Sequence, residues 1–161
     1  MEKPGVATSA YEHRSIPPQA SLLGVTGAVP FVVFTLALWV APADFREWAR
    51  HALVAYGMVI LSFVGALHWG FTMKSPDLTE RERWRWMGWS VAPAAAAWAA
   101  GMLPFRLGIG LMLAVFLLHL WLDIKFAVRS ALPLWYVRMR KRLTWTVVVT
   151  LALALAAPMA A

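Results

Sequence analysis

The 161-residue chain contains no cysteine. That excludes disulfides, thiolate metal sites and a thiol nucleophile, and says nothing about compartment. Charge is scarce as well. Only 14% of residues are Asp, Glu, Lys or Arg, against about 25% in an ordinary soluble domain. There is no nucleophile elbow, P-loop, dinucleotide fingerprint or zinc pattern, and Ser62 and His68 are too ill-spaced on a helix to form a dyad. The expectation is a protein with no catalytic residue, no metal site and no enzymatic activity. Nor is there an internal repeat, which argues against transporters built from two inverted halves.

What is present is apolar. Hydrophobic residues make up 61% of the chain and the mean hydropathy is +0.63. The apolar residues fall in blocks nearly free of charge, at about the twenty residues needed to cross ~30 Å of hydrocarbon. This predicts an all-α, polytopic membrane bundle of about five transmembrane helices, at residues 20–41, 51–71, 84–103, 107–126 and 143–157. Residues 1–19 form a polar tail and 20–161 one transmembrane domain. Ala41-Pro42-Ala43 resembles a signal-peptidase site, but the preceding apolar stretch exceeds the 7–15 residues of a signal peptide, so a retained helix is expected. Glu2 and Glu12 argue against a mitochondrial transit peptide. Thr79 and Glu82 fit a capping box before the third span. Residues 127–142 should hold a turn around Ser130 to Pro133 and then a basic stretch.

The net charge is +7. On an integral protein with little aqueous mass this points to topology and anionic headgroups, not nucleic acid. Twelve basic residues, from Lys3 to Arg142, lie on the side of the N-terminus; only Arg46, Arg50 and Arg106 lie opposite. The positive-inside rule then puts the N-terminus in the cytoplasm (or an organellar matrix) and the C-terminus outside. Trp39, Trp48, Trp84, Trp86, Trp135 and Trp145 sit near span ends, as in an interfacial aromatic belt. Trp135, Tyr136, Arg138, Arg140, Lys141 and Arg142 read as lipid-anchoring. Gly88, Ala92, Ala96 and Ala100 recur every four residues and make a helix-packing stripe, facing either this chain or a partner. Pro30 and Pro93 should bend their spans.

Polar side chains inside spans are costly and mark sites by default. The candidates are His68, Trp69, Trp89, His119 and Asp123. His119 and Asp123, four apart, share a helix face. The second and fourth spans run in the same direction, so His68 and His119 fall at similar depth near the N-terminal side. Three readings stand. One is a polar knot that locks helices together, with Asp123 paired to Arg138 or Arg140. Another is a pocket for a small amphipathic ligand such as a quinone, a lipid or a tetrapyrrole. The third is a haem between the histidines, or a proton relay through His119 and Asp123. No cofactor is required by any motif.

Two stretches carry a resemblance. One is Ala55-Tyr56-Gly57 followed by Ile60 through Gly70, containing His68-Trp69-Gly70. The other is Leu122-Asp123, then Leu132-Pro133-Leu134-Trp135-Tyr136-Val137-Arg138-Met139-Arg140 and Leu143-Thr144. With the order of spans, they resemble an uncharacterised bacterial and mitochondrial membrane family, domain of unknown function 3429, over roughly residues 16 to 157. The resemblance implies a helical inner-membrane protein, draws attention to His68, Trp69, Asp123, Trp135, Tyr136 and Arg138, and transfers no catalytic residue. The build is also similar to the tryptophan-rich sensory (translocator) proteins, without their Pro-Asn-x-x-Trp pattern. The expected function is a non-enzymatic accessory, assembly or scaffold component. The alternatives are an amphipathic-ligand binder, or a subunit of a transporter or channel. Expected partners are membrane lipids, and a membrane protein or a second copy of the chain. The expected location is a bacterial inner membrane, on the acidic residues of the tail, with the mitochondrial inner membrane as the alternative.

Overall fold

The computed structural model describes residues 15–129 and 132–158. Most of the expected tail and the turn residues Ser130 and Ala131 lie outside the described residues. Five helices follow in order: α1 Pro18–Val40, α2 Ala43–Lys74, α3 Glu80–Gly101, α4 Phe105–Arg129 and α5 Leu134–Ala156. Among the described residues there is no strand.

The helices outrun the expected spans. α2 begins at Ala43, so residues 43–50, expected as loop, are helical. Pro42 stands at its N-cap and Asp44 in its first turn, where an acidic group favours the helix start. α5 begins at Leu134, so the basic stretch is also helical. The α3 start is the expected capping box. The Glu82 amide donates to Thr79 Oγ1 at 3.3 Å, and the Thr79 amide to Glu82 Oε2 at 2.9 Å.

By length and composition, α1, α2 and α4 are apolar enough to cross a membrane. Their outward faces carry large apolar side chains such as Leu23, Val40, Phe63 and Leu107. Exposed apolar surface of this extent belongs in lipid. The protein is therefore a membrane protein.

Helices adjacent in sequence pack against each other. α1 packs back on α5, and α2 touches α4 across the middle. Phe31, Leu53, Leu61, Ile109, Met112 and Leu151 are fully buried at the centre. A smaller cluster of Leu78, Trp86, Leu122 and Phe126 lies toward the 75–79 loop. Pro93 packs on Gly65, where a Cβ would meet the proline ring and the Ser90 carbonyl at 3.0 Å. The Pro93 segment of α3 is thus seated against a residue with no side chain. Near Pro30 the Tyr56 hydroxyl donates to the Gly27 carbonyl at 2.8 Å, tying α2 to α1.

The small-residue stripe on α3 is displaced from its expected place. The buried face is Trp86, Ser90, Pro93, Ala97 and Ala100. Of the expected four, Ala100 is buried, Ala96 packs at the core's edge, and Gly88 faces open space. Bulky Trp86 takes the inward position because its ring fills the space beside Phe126.

At the loop end, Arg129 clamps α4 to the start of α3. Its Nε donates to Glu82 Oε1 at 2.7 Å and its Nη2 to Glu82 Oε2 at 3.1 Å. The Arg129 hydrogen bonds, aided by Thr79, hold the Glu82 carboxyl down from 4.5 to about 2. The clamp's stabilisation is therefore present above pH 4.5 and lost as the pH falls toward 2. Glu82→Gln should remove that part of the acid sensitivity, read from melting temperatures in detergent across this window. A Cβ at Gly108 would strike the Ala100 carbonyl oxygen. Backbone cannot yield as a side chain does, so Gly108→Ala should destabilise by about 1–3 kcal/mol in denaturant unfolding.

Candidate functional site

The C-terminal ends of α2 and α4 and the N-terminal half of α5 bring five ionisable side chains together beside α3. α4 contributes His119 and Asp123, one turn apart, and Asp123 is 3% exposed. A carboxylate at that depth needs a cation. α5 supplies it: Arg140 Nε donates to Asp123 Oδ2 at 2.7 Å. Tyr136, one turn before Arg140, directs its hydroxyl to Asp123 Oδ1 at 3.5 Å. His68 on α2 brings Nε2 to 3.5 Å from Asp123 Oδ1. The two imidazole centroids are 5.0 Å apart. Trp86 stacks on His68, and Phe126 closes the other side.

Trp89 settles the protonation of His119. Its indole Nε1 donates to His119 Nδ1 at 3.1 Å. An indole nitrogen only donates, so Nδ1 must accept and the proton of the neutral ring lies on Nε2. An imidazolium would set two N–H groups against each other. His119 Nε2 then faces Asp123 Oδ2 at 3.7 Å. With His119 neutral, Asp123 and Arg140 offset each other's charge.

Four buried nitrogens here lack a hydrogen-bond partner: His68 Nδ1 and Nε2, His119 Nε2 and Arg140 Nη2. One ligand atom from each of His68, His119 and Asp123 lies within 4.8 Å of the others, a spacing a metal ion could use. Two features work against that use. The Asp123 carboxylate is already held by a guanidinium, and the Trp89 contact keeps a proton on the His119 nitrogen that would have to ligate.

Residues 16–156 match the model of a family described as protein of unknown function, DUF3429. The chain belongs to this family. It is also 31% identical over 138 residues to transmembrane protein 69 of Xenopus tropicalis, covering 86% of this chain and 54% of that protein. The chain thus spans about half the length of the curated relative it matches. No solved structure matches.

On this DUF3429 chain, four of the five candidate residues meet: His68, Trp89, His119 and Asp123. Trp69 does not. It is 47% exposed, because the next residue on a helix points about 100° away from His68. Three residues taken from the sequence as interfacial belong to the site instead. Tyr136, expected to bind headgroups, and Arg140, expected either to bind headgroups or to pair with Asp123, are buried against Asp123, and Trp86, expected in the aromatic belt, is buried on His68. The signal for the first two was the four-residue spacing of Tyr136, Arg140 and Thr144, which sets one buried face on α5. Arg138, Lys141 and Arg142 are exposed and Trp135 half-buried, so these four remain at the surface. Trp39, Trp48, Trp84 and Trp145 are exposed.

Breaking a buried pair leaves a bare charge, whereas replacing both partners does not. Arg140→Met should cost about 3–5 kcal/mol in denaturant unfolding, and Asp123→Leu with Arg140→Met should recover most of it. A double variant as unstable as the single would show that the pair is not what holds α4 to α5.

Proposed function

We propose that this protein is a non-enzymatic, five-span membrane protein that holds one small amphipathic molecule. The observation that carries the reading is a groove of about 740 Å³ between α1, α2 and α5. Its lining is almost wholly apolar, and Arg140 and Tyr136 of the buried cluster stand in its wall. Apolar concavity with a few convergent polar groups is the usual form of a small-molecule site. A haem-ligating or proton-relaying role is less well supported, since the Trp89 contact holds His119 neutral with Nε2 protonated.

The proposed topology has a cytoplasmic N-terminus, a tail to residue 19 and a single transmembrane domain beyond it. Two of the three arginines on the opposite side have another task. Arg50 donates to the Pro158 carbonyl and Arg106 to that of Ala157, at the C-terminal end of α5. Cations at a helix C-terminus offset its partial negative charge; Arg83, Arg129 and Arg140 are likewise engaged on the N-terminal side, so the proposed orientation rests on the plain count of twelve basic residues against three. The bacterial plasma membrane is the proposed location, with the mitochondrial inner membrane as the alternative.

A second reading, an accessory or scaffold component, is favoured by the open face around Gly88. With Ala92 it lines a shallow groove beside Trp89 and Leu122 that a partner's helix would fit.

Gly27 separates the two readings. It lines the large groove, and a Cβ there meets nothing within 4 Å. Gly27→Phe should fill the groove without destabilising the helix. In native mass spectrometry at rising collision energy, the wild type should keep an extra mass of a few hundred daltons and the variant should lose it. Retention by both, or by neither, would overturn the binding role.

A further inference from the structure

The groove wall carries two polar groups that an apolar lining does not need. Arg140 is 6% exposed, and its Nη2 has no hydrogen-bond partner. Thr144 lies one turn further along the same face of α5 and also lines the groove. A threonine inside a helix commonly returns its hydroxyl to the carbonyl four residues back, as Thr146 and Thr150 do. The Thr144 hydroxyl makes no hydrogen bond among the described residues.

Both groups can donate, and Arg140 can only donate. The guanidinium charge is already matched by Asp123 at 2.7 Å. An anion at this depth would add an uncompensated charge in a low dielectric. The group that fits is therefore a neutral acceptor. Phe71, Trp135 and Tyr136 line the groove near the Arg140 turn, with the Phe71 and Tyr136 rings edge to face at 5.1 Å. Aromatic walls favour a flat ring over a flexible glycerol ester. Beyond them the lining past Gly24 and Gly27 is apolar and suits a hydrocarbon tail.

We infer that the groove takes a quinone-type ligand, a planar ring with neutral carbonyls and a hydrocarbon tail, one carbonyl accepting from Thr144 and the Arg140 guanidinium. This rests on the proposed binding role of the groove. Arg140 Nη2 is closed off by its neighbours, so seating the ring requires a rotamer change in the wall. Met139, unbranched and lining the groove, is the side chain best able to yield.

The test uses the full chain in phosphatidylcholine nanodiscs titrated with decyl-ubiquinone, occupancy being read from quenching of tryptophan fluorescence. Wild type should quench saturably. Thr144→Val, nearly isosteric, should weaken Kd by about three- to tenfold. Arg140→Lys, which keeps a positive charge beside Asp123, should weaken it at least as much. Should Arg140→Lys fail to fold, Thr144→Val decides alone. Unchanged Kd in Thr144→Val would overturn the assigned headgroup contact. Displacement by dioleoylglycerol as effective as by quinone would overturn the quinone class and leave the groove as a neutral-ester site. Linear, unsaturable quenching, with a mass still retained in native spectra, would overturn this inference alone; no retained mass would overturn the binding role as well.

Discussion

Asp123 is the constraint around which the bundle is arranged. A carboxylate 3% exposed among apolar helices would be prohibitive alone. Arg140 makes it tenable, and because that residue belongs to the next helix, the pair fixes the rotation of α5 about its own axis. Tyr136 and Thr144, one turn to either side, are carried inward with it. Arg138, Lys141 and Arg142 are turned outward by the same rotation. The division of one basic stretch into a buried cation and a surface patch is thus a consequence of one ion pair and a 3.6-residue period.

The imidazoles complete the cluster. Trp89 sets the tautomer of His119, and Trp86 and Phe126 enclose His68. Enclosure by rings keeps the cluster dry and raises the cost of every unmet polar group. Four nitrogens nevertheless lack partners. Interiors tolerate few such groups, and where they gather there is commonly a reason beyond packing. The nearby groove, sharing Arg140 and Tyr136 with the cluster, supplies one.

The five helices are not equivalent. α1, α2 and α4 each hold a long uninterrupted apolar run, whereas α3 and α5 carry charged residues within their first two turns. Those turns serve the end of the bundle that bears the 75–79 connection. Glu82 at the start of α3 meets Arg129 at the end of α4, and Arg140 near the start of α5 meets Asp123. What shortens the apolar portion of α3 and α5 is therefore what ties them to α4.

The sequence by itself determined the helical class, the five helices in order, the capping box at Thr79 and the family. Each follows from local signals: apolar runs, capping residues and short motifs. The meeting of His68, His119 and Asp123 was also legible, because helices running in the same direction place residues at matching depths. Rotation about each helix axis was not legible. In an apolar span every face is hydrophobic, so no amphipathic stripe marks the inside. Hence Gly88, Trp69 and Trp86 face otherwise than their composition suggested, Tyr136 moved from the headgroup layer to the core, and the choice between Arg138 and Arg140 as the partner of Asp123 fell to Arg140. Only tertiary structure decided those rotations, because they minimise the cost of buried charge and fill space beside rings contributed by other helices.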